Sequence, residues 1–300
     1  MRGLSRPASA QATRALSLGV LPVESAGEAY YAQQLGSFTK AGLDVTLTQL
    51  GNTPSIVAAV VGGSLDIGYT TIDSVASIHA HGVPLVVIAP ATDYIDPLTT
   101  KTAGIIVRSD SPIRNAKDLT GKTIAVPALH SLGTTAASAW IDQNGGDSST
   151  VKYVEIPFPA EPAALATSRV DAIFEVEPFF GSAAKDNRVL VAGYNAIAKR
   201  FMLNLWITTP AWANAHPDLV SRFVSVIHET AVWANGHHDQ SAPLLSAFTK
   251  IPVETITAMV RSHYAEELTA QLMQPGIDAS AKYNSFATFP ASELLLPAKK

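Results

Sequence analysis

Cysteine is absent from all 300 residues. That single lack excludes a disulfide scaffold, thiolate zinc sites, iron–sulfur clusters and a Cys nucleophile. It also removes the thiol that a lipid anchor would need, so any exported form is expected to be soluble and not a lipoprotein. Charge is scarce. Charged residues make up 15% of the chain, with 21 Lys+Arg against 25 Asp+Glu, for a net charge of −4. No basic field is available to wrap a nucleic acid. Apolar runs of the length needed to span a bilayer, roughly 18 residues or more, are missing. Aromatic residues are only 7%. What is plentiful is aliphatic: hydrophobic residues are 47% of the chain and the mean hydropathy is +0.18. A chain this apolar offsets its ordering entropy by burial, which rules out disorder and coiled coil. At about 150 residues per domain, its length suggests about two domains.

The first 14 residues, MRGLSRPASAQATR, are basic and rich in small residues. Ala8-Ser9-Ala10 and Ala10-Gln11-Ala12 both fit the small-x-small pattern of an export cleavage site, but no apolar segment precedes them. Residues 1–14 are therefore read as a remnant of a signal peptide or of an expression leader.

Short strand-like runs alternate with helix-like ones, the pattern of α/β layers with mostly parallel sheets. Leu16–Val20, Val45–Gln49, Asp66–Tyr69, Leu85–Ala89 and Gly104–Val107 read as strands, and Glu28–Lys40, Pro54–Val61 and Ile72–His79 as helices. The pattern restarts with strands Thr123–Val126, Val151–Ile156, Ala172–Glu175 and Val189–Ala192, interleaved with helices. Leu203–Thr208 reads as a returning strand, and after Pro217 the chain reads as purely helical. Shifting the chain by 105 residues aligns its punctuation. Pro22 falls on Pro127, Pro54 on Pro159, Ala58-Ala59 on Ala163-Ala164, and Asp66 on Asp171. The repeat implies two similar lobes that present strand C-terminal ends and helix N-termini to a crevice, where open α/β sheets bind ligands. The expected division is 15–107 for the first part of lobe 1, 108–203 for lobe 2, and 204–300 for the return strand and C-terminal helices of lobe 1. Two crossings, near Val107-Arg108 and near Phe201–Leu205, would form a hinge.

Four stretches carry a resemblance to a known family. Residues 55–68, ending Leu65-Asp66-Ile67-Gly68, form a helix, a glycine turn and an "LDIG" strand. Residues 104–113 and the Lys117-Asp118-Leu119-Thr120-Gly121-Lys122 segment follow, then Val170-Asp171-Ala172 with Glu177-Pro178, then His216-Pro217-Asp218-Leu219-Val220. Together they resemble the type 2 periplasmic binding proteins of ABC importers, in the branch that serves aliphatic sulfonates, taurine, nitrate and thiamine-pyrimidine precursors. The resemblance covers roughly residues 15–290. It implies an α/β fold of two lobes, each a mostly parallel sheet flanked by helices, joined by two hinge crossings.

Candidate ligand-binding positions follow from the resemblance and from local chemistry. Glu24 and Ser25 lie in the loop after the first strand, where the family places a ligand-facing segment. Asn52 joins a strand end to a helix start and can cap that helix or meet the ligand. Thr70 and Thr71 stand between a strand and a helix, where hydroxyls and N–H groups receive an oxyanion. Ser131, Gly133, Thr134 and Thr135 open a helix in the second half, in a stretch beginning at His130 that departs from the family's "P-K-G-S-T" by residues and by length. Glu175 and Glu177 flank a strand end, where a carboxylate facing the cleft would suit an amine or hydroxyl group; Glu175 or Glu24 could meet an amine, while Glu177 reads first as a helix N-terminal charge. Tyr94 and Trp206 offer apolar surface or belong to the core.

Other motifs fail. Gly121-Lys122-Thr123 lacks the earlier glycine of a phosphate loop and is followed by a strand. His79 and His81 point to different sides of a helix, and His237-His238 lies in a polar turn. No metal or cofactor is expected. The function expected is a solute-binding protein that closes over a small-molecule ligand, a small organic anion or zwitterion such as an aliphatic sulfonate. It would work as a monomer in the periplasm with ABC transporter membrane subunits and without nucleic acid. The alternatives are an enzyme on the same scaffold, acting on a small heterocycle or sulfur compound, and a cytoplasmic sensor domain. Known enzymes of this kind use Cys-bearing sites, and a His130–Ser131 pair is the one substitute on offer.

Overall fold

A computed structural model describes residues 14–129 and 131–296. The small-residue triplets at Ala8 and Ala10, and His130, lie outside the described residues.

The first part of the chain runs β1 (Arg14–Val20), α1 (Gly27–Gln34), α2 (Ser37–Lys40), β2 (Leu43–Gln49), α3 (Thr53–Val61), β3 (Ile67–Thr71), α4 (Ile72–Ala80) and β4 (Val86–Ile95). A second series follows: β5 (Ala103–Arg108), β6 (Thr123–Val126), α5 (Leu132–Gln143), β7 (Lys152–Glu155), α6 (Glu161–Ala166), β8 (Ala172–Val176), α7 (Phe179–Ala184) and β9 (Asn187–Ala192). The chain then returns through β10 (Arg200–Thr208) to α8 (Pro210–Ala215), α9 (Pro217–Gly236), α10 (His238–Thr249), α11 (Val253–Ala258), β11 (His263–Tyr264) and α12 (Ala270–Asn284).

Two sheets result. One has the order β2-β1-β3-β10-β4-β11, the other β7-β6-β8-β5-β9. Read from the same edge, they share one five-strand topology, three parallel strands, one antiparallel strand from the crossing, then a further strand, to which the first sheet adds β11. The 105-residue offset is structural, since β3 begins at Ile67 and β8 at Ala172. The strand-initial aspartates do the same work in both sheets. Asp66 Oδ2 accepts the Ser17 N–H at 2.7 Å and Asp171 Oδ2 accepts the Thr123 N–H at 2.9 Å. Each thereby ties the entry of its strand to the parallel neighbour.

The crossings lie at 96–102 and 193–199, not near Val107 and Phe201 as the sequence suggests. β5 is buried along nearly its whole length and slots antiparallel between β8 and β9. Gly104 makes this possible, because a Cβ there would stand 2.3 Å from the Val191 carbonyl oxygen. β10 starts as early as Arg200 because Phe201–Thr208 are buried between β3 and β4. The two crossings touch: Gly193, at φ +81°, leaves no room for a Cβ against Thr100 and the Tyr94 hydroxyl. The segment after Pro217 is not purely helical, since β11 adds a short edge to β4.

The core sits between sheets and helices. Leu18, Val20, Ile67, Tyr69 and Trp206 are fully buried in the first sheet, and Ile105, Ile124, Val126 and Ile173 in the second. α9 packs on α1, β2 and β4, while α12 packs on α4 and β10 and reaches α5 of the second lobe. Among the described residues no helix is long and apolar enough to cross a membrane.

Candidate functional site

A cleft of about 830 Å³, part of it open to solvent, lies between the two sheets at the C-terminal ends of their parallel strands. The first lobe contributes Leu21, Val23 and Ser25 after β1, Gly51–Thr53 at the start of α3, Tyr69 and Thr71 on β3, Leu203 and Asn204 on β10, and Ser262. The second contributes Pro127 and Ala128 after β6, Ser131–Gly133 at the start of α5, and Phe158, Phe174, Val176 and Glu177. Thr102 and Tyr194 come from the crossings.

Three helix N-termini meet here, and the caps of two of them, α3 and α5, are written in the sequence. Asn52 Oδ1 accepts the Ser55 N–H at 2.9 Å, with Pro54 in the first turn of α3. Ser131 caps α5 by accepting the Thr134 N–H at 3.4 Å. At the start of α4, the Thr53, Thr71 and Ser74 hydroxyls form a cluster with both Thr53–Ser74 and Thr71–Ser74 at 2.9 Å. Such termini favour negative charge on a ligand. Side-chain donors add to them. Thr92 donates to Asn204 Oδ1 at 2.6 Å, which leaves the Asn204 amide N–H groups for the cleft. The Tyr69 hydroxyl donates to Ser25 Oγ at 2.7 Å, so the Ser25 proton is free to donate onward.

One carboxyl lines the cleft. Glu177 Oε2 accepts the Gly181 N–H of α7 at 3.1 Å. A Cβ at residue 181 would stand 2.8 Å from Glu177 Oε1, so glycine there lets the carboxyl lie against the helix end. Burial pushes Glu177 up to about 7, against the Gly181 hydrogen bond, and the carboxyl of Glu24 adds to the rise. Deeper, between α4 and α5, Asp73 is fully buried and pushed up to about 6 by burial; the Thr71 hydroxyl and nearby N–H groups, including that of Leu132 from the other lobe, draw it back.

Of the thirteen positions singled out from the sequence, Ser25, Asn52, Thr71, Ser131, Gly133 and Glu177 come together in the cleft. The other seven do not. Side chains alternate across a strand, so Tyr69 and Thr71 face the cleft while Thr70 points behind β3, fully buried with its hydroxyl unpartnered. The same alternation turns Phe174 and Val176 inward and Glu175 away. Glu24 is buried and paired with Arg261 at 3.0 Å; it also accepts the Ser262 N–H at 2.9 Å. Tyr94 packs at the crossings against Tyr194 and Phe201. Thr134 turns its hydroxyl to the Ser131 carbonyl oxygen at 2.6 Å and Thr135 is on a buried side of α5. Trp206 is core, its indole N–H donating to Glu28. Sequence reasoning missed Phe158, Tyr194, Asn204 and Ser262. The repeat held the signal for the first: Phe158 lies 105 residues after Thr53, and both line the cleft.

The family model described as NMT1/THI5 like matches residues 25–241. The chain belongs to that family. A Bacillus subtilis (strain 168) protein described as an aliphatic sulfonates-binding protein is 24% identical over 228 residues, 75% of this chain and 66% of that relative's length. Among solved structures, the periplasmic aliphatic sulphonate binding protein SsuA of Escherichia coli superposes with a TM-score of 0.73 at 19% identity, covering 95% of this chain and 94% of that one. The alkanesulfonate-binding protein SsuA of Xanthomonas axonopodis pv. citri, bound to MOPS, gives 0.75 at 19%, covering 96% of each. The desulfurization enzyme DSZB gives 0.68 at 18%, covering 94% of this chain and 96% of that one. The two-lobed α/β fold is thus shared by binders and by an enzyme.

Proposed function

We propose that the protein is the solute-binding component of an ABC import system, closing its two lobes over a small organic anion or zwitterion such as an aliphatic sulfonate. The observation that carries this is the cleft itself, walled by both lobes at the strand ends and lined by hydrogen-bond donors. Binding without chemistry needs only desolvation and converging hydrogen bonds. A ligand that touches both lobes favours the closed form by its extra contacts there, and the paired crossings supply the hinge. The relatives named for sulfonate binding support the ligand class, and the relative named as periplasmic supports export; action as a monomer that delivers its ligand to membrane subunits belongs to the same proposal.

Calorimetry against a panel of sulfonates, carboxylates and heterocycles, with small-angle X-ray scattering of each complex, tests the reading. One-to-one binding with a smaller radius of gyration is expected. Binders that leave the radius unchanged would sink it. The second reading, an enzyme acting on a small heterocycle or sulfur compound, draws on the fold shared with the desulfurization enzyme. The absence of cysteine counts against thiol chemistry, and conversion of any bound candidate by the purified protein would favour it.

A further inference from the structure

We infer that the ligand of this cleft carries a protonated nitrogen, and that Glu177 receives it. This rests on the solute-binding reading and narrows its ligand class to zwitterions with an apolar body. Among the described residues that line the cleft there is no Lys, Arg or His, and the one charged side chain is Glu177. Its Oε2 has the Gly181 N–H; its Oε1 takes no hydrogen bond from the protein. A carboxylate only 5% exposed needs a partner. The described residues offer none, because the nearby buried cation, Arg261, is spent on Glu24, Tyr31 and Ser241. The carboxyl of Glu24, in the loop after β1, acts on Glu177 and repels it. A purely anionic ligand would meet that carboxylate with no countercharge. An ammonium would supply what is missing, in a charge-assisted hydrogen bond to Oε1.

The rest of the cleft suits the remainder of such a molecule. Phe158, Phe174, Leu21 and Val23 give an apolar wall for a hydrocarbon body, and the ring faces also attract a cation. The Asn204 amide, Ser25 and the capped starts of α3 and α5 give donors for an acidic head. The two ends of the ligand would then bind different chemistry: acid at the helix starts, amine at Glu177.

The test uses matched probes on the full chain at about pH 8, where Glu177 is ionised in the cleft and aliphatic amines are protonated. The pairs are 1-propanesulfonate with 3-aminopropanesulfonate, and 3-cyclohexylpropanesulfonate with 3-(cyclohexylamino)propanesulfonate. Affinity is measured by calorimetry and compaction by scattering. The amino member of a pair is expected to bind at least about tenfold more tightly. Glu177→Gln keeps the side chain's size and its acceptor for Gly181, with folding checked by circular dichroism, and should shrink that preference to within about twofold. An amine-free sulfonate that binds and compacts the protein as well as its amino partner overturns this inference and leaves the solute-binding reading standing. A preference that survives in Glu177→Gln also overturns it. Absence of binding and compaction with every probe overturns both.

Discussion

Glu161, in the first turn of α6, and Glu175, on β8, stand in the wall behind the cleft with none of their four carboxyl oxygens hydrogen-bonded. Burial pushes Glu161 up to about 9, and burial together with the Glu161 charge drives Glu175 up as well; Glu177, one residue beyond Val176, adds to that. With Glu28, Asp73 and Glu177 these make five carboxyls raised by folding. A raised carboxyl stabilises the fold fully below its unfolded value, near 4.5 for glutamate, and loses that contribution as pH climbs through the folded value. The protein should therefore resist urea better at about pH 5 than at about pH 8.5, by a few kcal/mol at the order-of-magnitude level. Glu161→Gln should flatten the difference; a stability curve as steep as that of the parent would count against the pair. Little of this was legible in the sequence. β3 and β8 are buried on both faces, so hydrophobic alternation gives no sign of which face a polar residue takes. Thr70 and Thr71, or Glu175 and Glu177, look equally eligible for the cleft until the strands are placed.

At the scale of elements, caps and turns carried more information than strands did. Asn52 before Pro54, and Ser131 before Leu132-Gly133, mark helix starts whose position at the cleft follows once the strands before them end there. The long-range tie that holds the loop after β1 had no local signature. Arg261, 9% exposed, donates to Glu24 at 3.0 Å, to the Tyr31 hydroxyl at 2.8 Å and to Ser241 at 3.0 Å, joining α1 and α10 to the loop that carries Val23 and Ser25. Glu24 and Arg261 lie 237 residues apart, a separation that spacing cannot report. Removing one partner of a buried pair leaves the other charge uncompensated. Arg261→Leu is expected to cost about 3–5 kcal/mol in urea denaturation and to weaken ligand binding through the loosened loop. Adding Glu24→Gln to it should recover part of the loss. A single variant as stable as the parent would show the network to be dispensable.

For the whole molecule, the duplication was visible as a constant offset of prolines, alanines and aspartates. The exact crossings were not, because β5 and β10 are apolar strands that could end one sheet or enter the other, and only pairing decides. That pairing splits the lobes unequally along the chain. All five strands of the second sheet lie between Ala103 and Ala192, whereas in the first sheet β3 and β4 are joined only through β10. A fragment spanning 96–199 should accordingly give a dispersed amide NMR spectrum and a cooperative melt, and one spanning 14–95 should give neither. A folded 14–95 fragment would refute this. The strand order also sets a schedule for the nascent polypeptide, which leaves the ribosome from its amino end. The first sheet must wait as two unjoined pieces until Thr208 has emerged, by which time the inserted lobe is already complete. On the solute-binding reading, the cleft comes into being only once both sheets are joined, and no half-made chain captures cargo prematurely.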